Sequence, residues 1–155
     1  MSVISLVKGC PLFHEIYDHE VEKILRNCVV ASFSQGDHII KQGDNGTDIC
    51  IILTGEADII VDKNGEQKYI ATLCAGDLFG EMVLLNETQR TANILAKTNC
   101  DVLVFGQDAF YQLYNKSPEV FSLLALNLSR LITKRLKQAN SIISNLSEEL
   151  AKKAA

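Results

Sequence analysis

The chain has 155 residues, of which 47% are hydrophobic and 22% charged, with 2 prolines and 9 glycines, a composition that excludes a disordered or fibrous protein. At this length folding buries roughly two-thirds of the unfolded chain's surface, enough for one domain (1–155) with its own core and no disulfide or metal staples. The formal charge of −4 argues against a generic nucleic-acid binder, and no apolar run approaches the ~20 residues of a membrane span.

The opening MSVISLVKGCPLF sets its lysine after the apolar stretch and has no cleavage pattern, so no signal peptide is expected and the cytoplasm is the expected compartment. Five cysteines (Cys10, Cys28, Cys50, Cys74, Cys100) contain no C-x-x-C pair, which disfavours zinc ribbons, iron–sulfur clusters and redox dithiols and leaves buried thiols in a reducing environment. His14, His19 and His38 lie at no ligand spacing, so no metal site is expected.

The first element predicted is a helix from about Asp18 to Cys28, with Asp18 as its cap. Val21, Ile24, Leu25 and Cys28 recur at i, i+3, i+4, i+7 and give it one apolar face. From Phe33 to Phe105 short β-branched runs (HIIK, DICIIL, ADIIV, KYIATL, NILA, DVLVF) alternate with glycine-bearing turns at Gly36, Gly43, Gly46, Gly55, Gly65 and Gly76, the texture of a small antiparallel barrel or sandwich. Asn64-Gly65 is the clearest hairpin turn, since both residues tolerate positive φ. No linker or repeat interrupts this stretch, so no second domain is expected.

A short helix near Asp108–Asn115 follows, then a long one opened by Ser117-Pro118-Glu119: hydroxyl cap, proline at the first helical position, acid in the first turn. At ~100° per residue from Arg130, residues Leu128, Ile132, Leu136, Ala139, Ile143, Leu146 and Leu150 all fall between about 160° and 240°. This stripe has near-heptad spacing, which suits pairing with a second copy, although packing on the chain's own barrel would give a similar pattern. Residues 130–155 hold six Lys/Arg against two Glu, a net of +4 that leaves −8 for residues 1–129. Arg130, Lys134 and Lys137 lie opposite the stripe on a solvated face. Arg135, at about 140°, borders the stripe, where a charge needs a partner or a ligand.

The chemistry concentrates in Phe79-Gly80-Glu81-Met82-Val83-Leu84-Leu85-Asn86-Glu87-Thr88-Gln89-Arg90-Thr91-Ala92. Gly80 permits a tight turn and a close backbone approach, and Glu81 to Leu85 suit a short helix whose free N–H groups point toward an anion. Arg90 then returns with a hydroxyl neighbour, Thr91. One guanidinium plus several amides matches a singly charged, forked oxyanion such as a cyclic phosphodiester better than a triphosphate. Taken alone, Arg90 reads as a surface ion-pair residue and Glu81 as a solvated acid at a helix start.

The run FGEMVLLNETQRTA closely resembles the phosphate-binding cassette of the cyclic nucleotide-binding domain family, and GDHIIKQGDNGTDICIILTGEADIIV is similar to that family's early barrel strands; together the likeness covers about residues 10–140. The resemblance implies an eight-stranded antiparallel β-barrel of jelly-roll type, mainly β with flanking α: N-terminal helical segment about 10–30, barrel about 31–106, C-terminal helices about 107–152. It implies a cytoplasmic sensor for cAMP or cGMP, with cAMP favoured, that binds the nucleotide as ligand, needs no cofactor and is not an enzyme.

Residue by residue, the resemblance places Arg90 on the cyclic phosphate and adds the amides at the start of the Glu81–Leu85 helix and at Ala92. Glu81 and the Gly80 backbone then hold the ribose 2′-OH, and Thr91 meets phosphate or a syn base. Phe79, Met82 and Val83 complete the cassette. Two departures stand out: Gln89 replaces the usual proline, and Val83 a small alanine. The resemblance also assigns a lid over the base to the long helix, with Arg135 as the expected residue and Leu131 and Leu136 as apolar contacts; otherwise Arg135 salt-bridges a partner subunit. A homodimer through that helix and an unknown downstream protein are the expected partners, with no direct DNA binding because only nineteen residues follow Leu136. The alternative readings are the ligand-binding part of a catabolite-activator-type transcription factor, a kinase regulatory subunit or a channel; a cupin-type enzyme lacks its His/Glu cluster.

Overall fold

The computed structural model describes residues 2–155. Helix α1 (Val3–Lys8), a 3-10 turn (Pro11–Phe13) and α2 (Asp18–Leu25) precede the barrel. Strands β1 (Cys28–Phe33), β2 (His38–Ile40), β3 (Asp48–Thr54), β4 (Ala57–Lys63), β5 (Glu66–Leu73), β6 (Leu78–Phe79), β7 (Asn93–Ala96) and β8 (Cys100–Gly106) form it, and α3 (Gln107–Lys116) and α4 (Pro118–Ala154) close the chain. Two antiparallel four-stranded sheets, ordered β1-β8-β3-β6 and β2-β7-β4-β5, face each other as a jelly roll.

The alternation of β3 explains the layers. Cys50 and Ile52 point between the sheets, where they pack with Ala57, Phe79, Ile94 and Val102. Ile49, Ile51 and Leu53 point the other way, onto a second core built with Leu12, Phe13, Phe105, Phe110, Leu124 and Leu128 from the helical segments. A strand buried on both faces reads as a continuous apolar run, which is why DICIIL shows no polar alternation. The helices therefore cover one sheet, and the N-terminal segment meets the first half of α4 there: buried Asn127 on α4 donates to the carbonyls of Leu12 at 3.0 Å and His14 at 2.7 Å.

Several expectations hold in detail. Asn64 (φ 55°) and Gly65 (φ 79°) turn between Lys63 and Glu66, which pair across the hairpin. Others need correction. Tyr17, not Asp18, caps α2; Asp18 is its first helical residue and pairs with Lys8 at 2.6 Å. That helix stops at Leu25 instead of reaching Cys28, because the β-branched run Val29-Val30 pairs with β8 and draws Cys28 into β1. Ser117 stands before the proline as expected, but its hydroxyl makes no capping hydrogen bond. The short β6 and all of β1 were absent from the six runs read along the sequence. No helix is long and apolar enough to cross a membrane among the described residues.

Candidate functional site

The segment from Leu78 to Ala92 links β6 of one sheet to β7 of the other. It turns at Gly80, whose φ of 79° suits glycine, into a 3-10 helix, Glu81–Leu85, and that helix ends at Asn86 with φ 59°. The returning stretch is pinned by backbone pairing to the loop after β2: the Arg90 amide donates to Asp44 O at 2.8 Å, Gly43 N to Arg90 O at 2.8 Å, and Gly46 N to Thr88 O at 2.9 Å. Gln89, in the place of a family proline, bridges to Asn45 in this ladder, so the local conformation is held without proline's fixed φ.

Arg90 sits in a slot made by two glycines. A Cβ at Gly46 would stand 2.6 Å from its Nε and Nη2, and one at Gly80 would stand 2.9 Å from its Nη1 and 2.8 Å from Asp48 O. The guanidinium donates to Asp48 O at 3.1 Å and Gly80 O at 3.5 Å. Among the described residues no carboxylate pairs with it. A cation oriented by carbonyls and left without a counter-charge attracts an anion, and its field pulls against the burial that raises the nearby Cys50 thiol to about 12.

A cavity of about 130 Å³ opens beside this slot. It is lined by the predicted Phe79, Gly80, Glu81, Met82, Val83, Arg90, Thr91, Ala92 and Arg135, with Ile40, Ile59 and Ile94 contributed by the second sheet and Glu87 and Gln89 by the returning loop. Its polar groups thus lie at the cassette and its apolar wall on β2, β4 and β7, a division that suits a ligand with one anionic and one flat apolar part. Val83 is 1% exposed and packs into the helical core.

The lid residues separate. Arg135 reaches the cavity: its Nη1 donates to Glu81 Oε1 at 2.9 Å and its Nη2 to Leu78 O. Leu131 packs on the helical core, Leu136 is 59% exposed, and neither lines the cavity. Sequence reasoning missed Gly46 as a spatial requirement, having read it as a turn residue, and missed the three isoleucines; alternation with Ala57 and Ala96 was the available signal for Ile59 and Ile94, whereas on β2 both Ile39 and Ile40 pack between the sheets. Among the described residues no group of three His, Cys, Asp or Glu could hold a metal, and the five cysteines are free.

Comparison with known proteins bears on the fold and the family. Residues 30–117 match the family model described as the cyclic nucleotide-binding domain. The cyclic AMP receptor protein of Thermus thermophilus is 32% identical over 147 residues, which are 94% of this chain and 66% of that protein. The cAMP-dependent protein kinase regulatory subunit of Blastocladiella emersonii is 36% identical over 110 residues, 70% of this chain and 27% of that protein. The chain therefore spans less than two-thirds of the length of these relatives. Among solved structures, a cyclic nucleotide-binding domain from Methylobacillus flagellatus aligns with TM-score 0.80 and 27% identity over 91% of this chain and 80% of that one. The Thermus thermophilus catabolite activator protein aligns with TM-score 0.75 and 31% identity over 88% of this chain and 63% of that one. On the family match over residues 30–117 and the shared fold, the chain belongs to the cyclic nucleotide-binding domain family, a family of regulatory ligand-binding domains and not of enzymes.

Proposed function

We propose that this domain is an intracellular sensor whose ligand is a cyclic mononucleotide, cAMP in preference to cGMP, and that it relays binding through α4 to a second copy of the chain and to a downstream protein. The observation that carries the reading is Arg90, a guanidinium with no carboxylate partner among the described residues, seated between Gly46 and Gly80 at the mouth of a cavity. In this reading Arg90 takes the cyclic phosphate, with the amides after Gly80 and at Ala92. Glu81 meets the ribose 2′-OH, and the purine lies against Ile40, Ile59 and Ile94. Thr91 borders phosphate or base, and the names of the relatives tilt the choice toward cAMP.

Dimerisation belongs to the same proposal. From Ile132 to Leu150 the α4 stripe is exposed, Ile132 at 44% and Leu150 at 67%, and a second helix of the same kind buries such a stripe most simply. Titration calorimetry against cAMP, cGMP and cyclic dinucleotides tests the ligand. Arg90→Ala weakens binding by roughly 2–4 kcal/mol, since a desolvated phosphate loses its charged fork, and Arg90→Lys restores only part. Wild-type affinity in Arg90→Ala refutes the assignment. The second reading is that the domain is the ligand-binding part of a longer catabolite-activator-type regulator, favoured by its 94% coverage in the alignment with the Thermus receptor protein.

A further inference from the structure

Of the side chains that line the cavity, the charged ones are Arg90, Arg135, Glu81 and Glu87, two of each sign. Glu81 and Arg135 neutralise each other across 2.9 Å. Arg90 and Glu87 have no salt-bridge partner among the described residues, so one cation and one carboxylate face the cavity without counter-ions. Glu87 is exposed, on the loop that returns from the 3-10 helix and three residues before Arg90. Three residues of chain span at most ~11 Å, close to the Debye length of ~8–10 Å at physiological salt. An anion seated on Arg90 therefore feels the charge of Glu87.

We propose that Glu87 is a charge-selectivity residue: it holds the cavity to a ligand with one negative charge and turns away phosphomonoesters, which carry two. The inference rests on the reading that Arg90 takes the phosphate. A carboxylate at the rim of an anion site costs affinity for every anion, which makes it a poor device for binding and a good one for discrimination. A cyclic phosphodiester has a single charge, whereas hydrolysis of its ring leaves a monoester whose second proton is lost near pH ~6, for a charge of about −2 above pH 7. Arg90 balances the first charge. The second finds no free cation, because Arg135 is engaged by Glu81, and it meets Glu87 instead. Coulomb energy is linear in the ligand's charge, so the dianion feels twice the repulsion that the cyclic monoanion does. Glu87 lies on the cassette side, away from the isoleucines of the second sheet that the purine would cover, so what it reads is the charge of the phosphate and not the identity of the base.

The test is competition calorimetry at pH 7.5, giving Kd for cAMP and 5′-AMP in wild type, Glu87→Gln, Glu87→Asp and Glu87→Lys, each at low and high salt. The position is an exposed loop, so the variants fold, and thermal unfolding of the same samples checks it. Glu87→Gln should tighten 5′-AMP about two- to tenfold more than it tightens cAMP. Glu87→Lys should narrow the preference for cAMP further, Glu87→Asp should hold it within about twofold of wild type, and the narrowing should shrink at high salt. An unchanged ratio in both Glu87→Gln and Glu87→Lys overturns the inference. So does a loss of cAMP affinity in Glu87→Gln, the mark of a hydrogen bond to the ligand, or a narrowing indifferent to salt, the mark of a merely structural effect. 5′-AMP that competes in none of the variants overturns it as well. If wild type binds no cAMP, or Arg90→Ala binds it as wild type does, the phosphate assignment itself fails, an outcome distinct from failure at Glu87 with cAMP binding intact.

Discussion

Gly46→Ala isolates the arginine slot from the stability of the fold. Gly46 is outside the left-handed region, so alanine's backbone is unstrained there, and a Gly→Ala change at a compatible site stabilises by roughly 0.4–1 kcal/mol through the unfolded state. The new Cβ, however, would lie 2.6 Å from Nε and Nη2 of Arg90, inside any allowed contact. The side chain must yield, because the Gly46 amide is tied to Thr88 O at 2.9 Å. Swinging the guanidinium away breaks its 3.1 Å bond to Asp48 O and misaligns the fork toward the anion. One to two charge-assisted hydrogen bonds lost amount to about 1.5–4 kcal/mol, or roughly one to three orders of magnitude in Kd. Calorimetric titration with cAMP reads the affinity, and thermal unfolding of the same samples reads stability. The expected pattern is weakened binding with an unchanged or slightly raised Tm. Wild-type affinity refutes the reasoning, and so does a parallel collapse of Tm, which would place the damage in the loop and not in the arginine.

Three further outcomes are expected. Asn127→Leu leaves the carbonyls of Leu12 and His14 without their donor, and urea unfolding should show a loss of about 2–4 kcal/mol. Burial pushes the thiols of Cys10 to about 11 and of Cys28 and Cys50 to about 12, above the ordinary 9.0. The folded chain keeps these protons where the unfolded chain releases them, so stability is full below pH 9 and falls as pH rises toward 11–12. At pH 8 iodoacetamide should modify exposed Cys74 first, and a flat stability profile from pH 8 to 11 would contradict the burial. Ile143→Glu and Leu146→Glu should abolish self-association in sedimentation equilibrium, with and without saturating cAMP; a wild type that stays monomeric in both conditions ends the dimer proposal.

The cassette was legible because its residues are contiguous: Gly80, Glu81 and Arg90 carry a backbone turn, an acid and a cation within eleven positions of a single loop, and local chemistry suffices to suggest an anion. The hairpin at Asn64-Gly65 was legible for the same reason. Gly46 was not, since the atom it must avoid lies on a side chain 44 residues on and only the paired loops bring the two together. Strand β1 was hidden behind the periodicity of α2: Cys28 fits the helical face, yet Val29 and Val30 are extended by pairing with Val104 and Leu103, a tertiary preference that local pattern does not contain. Ser117 marked the helix start correctly by residue type while its hydroxyl stays unbonded, because Pro118 at the first helical position already supplies a fitting φ.

Arg135 shows why a charge beside an apolar stripe carries more information than either feature alone. The stripe changes character along α4: Leu128 is 7% exposed and belongs to the chain's own core, whereas Ile132 is 44% and Leu136 59% exposed. Arg135 lies just past that change and spends its charge inward, on Glu81 and Leu78. Rolling α4 to bury the free stripe against another surface would therefore pull on the carboxylate that borders the cavity, and seating a ligand on that carboxylate would bias the roll. Under the proposed relay, two equilibria that share one ion pair would be linked in both directions, with a coupling on the order of 1–3 kcal/mol. Glu81 is 19% and Arg135 37% exposed, so the bond is screened enough to break within that range and too well placed to be neutral. An arginine wholly in solvent would transmit nothing, and one wholly buried would not release; the half-buried position at the helix's last attachment is the one the proposed relay requires.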